Sequence, residues 1–430
     1  MSDRNITEVN ERHEKIVVGL DIGTSKVCAL VASPDVKPGT LNILGIGISE
    51  SDGINRGVVV NIDKTIKSIQ KVVSQAEQQA GIEIKDVVVG IAGDHIDSFQ
   101  TKGTIGISND NREITKMDVD RVIDESRKVK IPSDRKILHV VPQDFIIDGQ
   151  DGITDPVGMS GVRMEANVHV VTGSETSIQN MHRCVERSGL NVKALVLEPL
   201  ASSYAVLDNE EKEVGVALID IGGGTTDIAI FEENLIRFTS VIAIGGKHVT
   251  NDIRKVLGII VTQAERIKKE YGHTHLNSLM NDEIIMIPGI GGRSPIEIPK
   301  SHLTEIIQAR MEEIFGFALS EIRRSGFSQR LGAGVVITGG CSLLNGVEEL
   351  ARDIFGMPVK IGIPSGISYS GLAPEIENPI YSTGVGLALY GLEEKGKPNK
   401  RIVKEKTINQ DNPENKKKLI SKLKDFFEEI

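Results

Sequence analysis

The sequence predicts a mixed α/β fold built from two similarly constructed halves, with an α+β segment inserted in the first half and an amphipathic helix at the C-terminus. Three observations carry this. Residues 17–31 (VVGLDIGTSKVCALV) and 216–230 (VALIDIGGGTTDIAI) resemble each other. Around them, apolar strands alternate with stretches of helical spacing, the pattern of a mixed α/β domain. From about residue 393 the chain turns polar and then amphipathic.

Each repeated segment is a short apolar strand, an Asp, a turn of Gly, Thr and Ser, and a second apolar strand. That reads as a β-hairpin with a small, hydroxyl-rich turn. Residues 63–79 carry Ile66, Ile69, Val72, Val73 and Ala76 at helical spacing, and residues 250–271 read as a further helix through Ile253, Val256, Leu257, Ala264 and Ile267. Residues 335–337 form a buried strand that ends at Thr338-Gly339-Gly340. The stretch 94–165 is rich in Asp, Gly, Ile and Val, lacks a phosphate-type turn, and reads as an inserted subdomain. The expected organisation is a flexible N-terminus (1–14), a first domain (15–93 and 166–208) interrupted by the insert (94–165), and a second domain (209–392). A linker (393–412) and a terminal helix (413–430) follow.

With 430 residues the chain can bury two or more cores. Its formal net charge of −10 argues against broad binding to a phosphate backbone, and the absence of Trp argues against base stacking as a main activity, so no nucleic-acid partner is expected. Cys28, Cys184 and Cys341 are far apart and form no CxxC, which predicts a reduced setting without disulfides or structural zinc. The first 15 residues lack a signal-peptide core, and no segment is long and apolar enough to cross a bilayer. Membrane contact is therefore expected to be peripheral.

The chemistry lies in the turns. Phosphates are held by backbone N–H groups pointing into one concavity, and glycine leaves that approach clear. Gly23-Thr24-Ser25 and Gly222-Gly223-Gly224-Thr225-Thr226 both supply such a turn, and Lys26 adds a charge able to reach a β- or γ-phosphate. Asp21 and Asp220, at the strand ends, are placed to hold Mg²⁺ through water, since Mg²⁺ keeps much of its hydration and takes few carboxylates. Gly339 and Gly340 follow an apolar strand and offer bare backbone against an adenosine. There is no Walker A pattern.

The tail has its own logic. Asn412-Pro413 is a helix start, with Asn as N-cap and Pro in the first turn. At ~100° per residue, Leu419, Ile420, Leu423, Phe426, Phe427 and Ile430 fall within an arc of about 120°. Lys417, Lys418, Lys422 and Lys424 flank or oppose that arc, which suits anionic lipid. Such a helix spans only ~27 Å and is half polar, so it lies on a membrane rather than across one. A helix docked on its own domain is the other reading, and the long polar linker disfavours it.

On these motifs the chain resembles the superfamily of actin, sugar kinases and heat-shock chaperone ATPases. Residues 18–26 are similar to its first phosphate motif, 218–227 to the second, 336–342 to the adenosine motif, and 195–204 and 381–389 to its two connecting helices. The DIGTSK turn at Asp21, the insert, the EPLASSYAVL run from Glu198, the AERIKKEYG run from Ala264 and the amphipathic tail are closer still to the FtsA family of bacterial cell-division proteins. That resemblance implies an actin-like, polymerising protein that binds ATP and Mg²⁺ between its halves. It also implies a role at the cytoplasmic face of the inner membrane at the division site, linking the C-terminal tail of FtsZ to lipid and recruiting later divisome proteins. The FtsZ-binding subdomain would be about 246–325. By position, Asp21, Gly23, Thr24, Ser25, Lys26, Gly222, Gly223, Gly224, Thr225 and Thr226 would meet the phosphates. Glu265 and Lys268 would meet ribose and adenine over Gly339 and Gly340. Glu198 and Asp220 take the catalytic positions. Glu198 stands where relatives position the attacking water, or is a dipole-favoured acid at a helix start. The rate of hydrolysis is left open. The alternatives are a rod-shape or pilus-assembly relative, a chaperone-type ATPase, or a sugar kinase. A chaperone would need a peptide-binding domain downstream and a kinase a substrate domain, and neither is evident.

Overall fold

The computed structural model describes residues 16–396 apart from 38, 109, 110, 290, 292, 293 and 369–371. The expected terminal helix, with Leu419, Ile420, Leu423, Phe426, Phe427 and Ile430, lies outside the described residues.

The first half runs β1 (Val17–Ile22), β2 (Lys26–Pro34), β3 (Leu41–Glu50), the short pair β4 (Ile54–Asn55) and β5 (Val58–Val59), α1 (Ile62–Ala80) and β6 (Asp86–Ile91). The insert follows: β7 (Asp97–Gly106), α2 (Lys116–Ser126), β8 (Arg135–Ile147), β9 (Gln150–Ile153) and β10 (Arg163–Ser174). The chain returns through α3 (Glu175–Arg187) and β11 (Asn191–Leu197) to α4 (Glu198–Val206) and α5 (Asn209–Val214). The second half runs β12 (Val216–Ile221), β13 (Thr226–Glu232), β14 (Leu235–Ile242), α6 (Gly246–Leu257), α7 (Val261–Tyr271), β15 (Ile284–Ile287), β16 (Ile296–Pro299) and α8 (Lys300–Arg324). It closes with β17 (Gly334–Thr338), α9 (Val347–Phe355), β18 (Val359–Ile361), α10 (Ala373–Ile376) and α11 (Ser382–Gly396).

The two halves share one sheet plan. The first sheet has the order β11-β6-β1-β2-β3 and the second β18-β17-β12-β13-β14. In each, an antiparallel meander starts the sheet and two parallel strands extend it. The registers match at the turn: Asp21 faces Cys28 and Asp220 faces Asp227, each one pair from the hairpin end. The sequence repeat is thus a structural repeat.

Helix α1 forms because Asn61 caps it, its side chain accepting from Lys64 N at 3.0 Å, and because Ile66, Ile69, Val72, Val73 and Ala76 make one buried face. Each large aliphatic there contributes about 1.5–3 kcal/mol gross. The stretch 250–271, expected as one helix, is instead two. Gly258, in the left-handed region at φ 67°, ends α6, and its N–H bonds to Arg254 O. Glycine ends a helix this way at little cost, even where apolar periodicity runs on. Behind the two sheets, Val17, Leu30 and Leu41 of the first half and Val216, Leu218 and Phe231 of the second join one core with α4 and α11. These helices cross closely: a Cβ on Gly386 would lie 1.9 Å from Ala201 O.

The insert is a four-stranded sheet, order β7-β10-β8-β9, with α2 packed on it around Ile114, Val122, Met164 and Val168. Its far side meets β14, the outer strand of the second sheet. Gln143 Nε2 donates to Ile236 O at 2.9 Å, Gln100 Nε2 to Arg237 O at 3.0 Å and Ser98 Oγ to Thr239 O at 2.9 Å. A segment inserted in the first half therefore touches the second.

Candidate functional site

The two hairpin turns meet between the halves. A Cβ at Gly223 would lie 1.9 Å from Ser25 Oγ, and one at Gly224 would lie 2.6 Å from Thr24 Oγ1. Only bare backbone lets the turns approach this closely. Each turn is internally braced, Gly23 N donating to Lys26 O and Gly222 N to Thr225 O, both at 3.0 Å. Thr24 Oγ1 also accepts from Gly57 N at 3.0 Å. Thr226 does not contribute a free hydroxyl: it is fully buried, and its Oγ1 donates to Ile244 O at 2.8 Å.

Four carboxylates gather beneath the turns. Asp21, Asp220 and Asp227 are buried at the ends of β1, β12 and β13, and Glu198 opens α4. Asp220 Oδ2 accepts from Ser202 Oγ at 2.8 Å and from Thr383 Oγ1 at 3.4 Å, one hydroxyl from each connecting helix. Asp227 Oδ2 accepts from Thr225 Oγ1 at 2.9 Å, while its Oδ1 is buried without a hydrogen-bond partner. Lys26 pairs with Asp21.

The electrostatics follow from this crowding. Burial, then the like charges of Asp21, Asp227 and Asp220, raise the Glu198 carboxyl well above its ordinary value. Burial and Asp220 push Asp227 up to about 8. Burial also raises Asp220, against the Ser202 hydrogen bond and with the charge of Asp21. Burial works against the Lys26 charge, but Asp21, Cys28 and Glu198 together outweigh it and hold the ammonium above its usual range. One close cation thus faces four acids, a donor set with room for more positive charge. Among the described residues no three His, Cys, Asp or Glu side chains are close enough to ligate a metal directly. Asp21 and Asp220 suit a cation that keeps its water.

A second group of residues adjoins the turns. Gly246 N donates to Gly222 O at 2.9 Å, tying the start of α6 to the second turn. Lys268 Nζ donates to Gly246 O at 3.2 Å and to Thr250 Oγ1 at 2.8 Å, and lies 2.7 Å from Glu265 Oε2. Burial alone would raise Glu265, and Lys268, with Thr250 and Lys269, outweighs it and lowers the carboxyl. Gly339, at φ 84°, lies against the carboxylate of Asp220: a Cβ there would sit 2.4 Å from Asp220 Oδ1. A Cβ on Gly340 would meet nothing within 4 Å, so its face is open to an incoming group.

The expected residues of the two turns, Glu198, Gly339, Glu265 and Lys268 therefore share one region between the halves. Four further residues were missed by sequence reasoning: Asp227, Ser202, Thr383 and Lys247. Asp227 is the second Asp of DIGGGTTD and pairs with Asp220 in register, which its spacing could have signalled. Ser202 and Thr383 look like ordinary helix residues in sequence. Lys247 follows Gly245-Gly246 and sends Nζ across to Thr24 O at 2.6 Å.

Comparison with known proteins places this arrangement in a family. Residues 217–386 match the family model "Cell division protein FtsA", and residues 93–172 match "SHS2 domain inserted in FTSA". The chain is 46% identical over 399 residues to the cell division protein FtsA of Pseudomonas aeruginosa, covering 93% of this chain and 94% of that one. It is 39% identical to FtsA of Escherichia coli K12, covering 88% and 91%, and 39% identical to FtsA of Bacillus subtilis, covering 88% and 84%. Among solved structures, the fold is similar to the PilM-PilN type IV pilus biogenesis complex, at TM-score 0.63 and 16% identity over 87% of this chain and 98% of that one. It is also similar to MreB5 of Spiroplasma citri bound to ADP, at TM-score 0.52 and 17% identity over 89% and 97%. The fold is actin-like with an inserted subdomain, and the chain belongs to the FtsA family of cell-division proteins.

Proposed function

We propose that this cell-division protein binds Mg-ATP between its halves, polymerises, and tethers the FtsZ C-terminal tail to the cytoplasmic face of the inner membrane at the division site. The observation that carries the nucleotide part is the meeting of two glycine turns over four carboxylates. Gly23 to Lys26 and Gly222 to Thr225 would hold the phosphates. Asp21 and Asp220 would hold hydrated Mg²⁺, Glu265 and Lys268 would take the ribose and base, and Gly340 leaves its face clear for them. Added positive charge would relieve the repulsion that raises Glu198 and Asp227. Bound Mg-ATP would supply a phosphoanhydride, toward which Glu198 would orient water. A solved relative of this fold carries ADP, which agrees with this reading.

The membrane part rests on the amphipathic pattern of 413–430, and recruitment of later division proteins on the insert. No helix among the described residues is long and apolar enough to cross a membrane. Two measurements test the proposal: titration of Mg-ATP against the purified chain, and sedimentation with anionic liposomes with and without residues 412–430. Failure to bind Mg-ATP removes the first part, and tail-independent sedimentation removes the second.

A further inference from the structure

We propose that Lys247 is a phosphate ligand of the nucleotide, reaching the polyphosphate from the second half as Lys26 does from the first. The proposal rests on the nucleotide reading above and deepens it.

Three lysines surround the turns, and their partners differ. Lys26 pairs with the Asp21 carboxylate and Lys268 with Glu265. Lys247 makes no ion pair among the described residues; Nζ donates to a neutral acceptor, the carbonyl of Thr24, at 2.6 Å. Its position is fixed at the root: Lys247 N donates to Gly223 O at 2.8 Å, and Gly246 N to Gly222 O at 2.9 Å. The side chain therefore starts at one glycine turn and ends on the other. Partial burial lowers its pKa, outweighing the charges of Glu265 and Asp52. A phosphate oxygen held by Gly23 to Ser25 or by Gly222 to Gly224 would offer that ammonium a charged acceptor within reach. Charge-assisted hydrogen bonds are roughly twice as strong as neutral ones.

The rival reading makes Lys247 a strap that closes the halves without touching any ligand. The two differ in how they treat nucleotides with different numbers of phosphates. A strap lost would weaken ATP, ADP and AMP alike. A phosphate ligand lost would weaken ATP and ADP most.

The test compares the full chain with Lys247→Gln and Lys247→Arg, by competition of ATP, ADP and AMP against a fluorescent ATP analogue. Circular dichroism and melting without nucleotide check the fold. The expected result is a tenfold or greater loss of ATP affinity in K247Q, at most a threefold loss for AMP, and K247R within threefold of the parent for all three. Equal losses for the three nucleotides in K247Q, or none, overturn the proposal while leaving ATP binding in place. A parent chain that binds none of them overturns the nucleotide reading, and the proposal with it. If K247Q fails to fold, Lys247→Met takes its place in the same comparison: a tenfold loss for ATP with at most threefold for AMP supports the proposal, and equal losses or none overturn it.

Discussion

Gly223 of the second half stands against Ser25 of the first, so closely that a single added carbon would lie 1.9 Å from the Ser25 hydroxyl. The glycine is thus demanded by the opposite turn, before any phosphate is considered. Gly223→Val should hold the turns apart and weaken ATP binding tenfold or more, about 1.4 kcal/mol. Adding Ser25→Gly should restore part of that loss by removing the obstructing side chain. Titration with a fluorescent nucleotide checks both variants, and a G223V chain that folds and binds as the parent does would refute the assignment.

Asp227 makes stability depend on pH. Its carboxyl is raised to about 8, so it stays protonated in the folded chain while the unfolded chain ionises it near the ordinary Asp value. A raised acid leaves stability intact below the unfolded value and removes it as pH climbs toward 8. Between pH 6 and pH 8 the parent should lose about 2 kcal/mol from this group. Asp227→Asn should flatten that slope, and urea denaturation across the range in the absence of Mg²⁺ measures it. Identical slopes in the two proteins would remove Asp227 as the cause.

The insert should act as a brace between the halves. Replacing Ser98, Gln100 and Gln143 with Ala together removes three hydrogen bonds to carbonyls of β14, each worth ~0.5–1.5 kcal/mol net. The triple variant should lose about 2 kcal/mol of stability and exchange the amide hydrogens of β14 and β7 faster, while binding ATP as before. Unchanged exchange would show that the contact carries no coupling.

The tail should anchor the chain. Phe426→Glu with Phe427→Glu places two charges in the apolar arc, at a cost of several kcal/mol for insertion. This variant should keep its ATP affinity and leave anionic liposomes, remaining in the supernatant after centrifugation. Sedimentation equal to the parent's would mean a helix docked on protein, not lipid.

The turns were legible in the sequence because they are local: Asp21 to Lys26 and Asp220 to Asp227 each carry strand, acid and glycine within a few residues. The repeat between them also announced two halves of one plan. What stayed hidden depends on contacts between distant segments. Nothing near Lys247 in sequence indicates that its ammonium lands on Thr24, and Ser202 and Thr383 become partners of Asp220 only once both connecting helices cross beside β12. The break at Gly258 was obscured for a different reason. Apolar residues keep helical spacing on both sides of it, and only the backbone angle shows that the helix stops.

The seam between the insert and β14 also bears on how the chain is made. A bare outer strand is a template for unwanted pairing with other chains. Here its cover is encoded upstream: Ser98, Gln100 and Gln143 precede β14 by about ninety residues or more and leave the ribosome first. Because they grip main-chain oxygens, they ask little of the residues β14 carries, apart from Arg237, whose guanidinium also donates to Gln143 Oε1 at 3.2 Å. The guard is made before the vulnerable edge, and Arg237 and Thr239 aside it leaves that edge's own sequence free to drift.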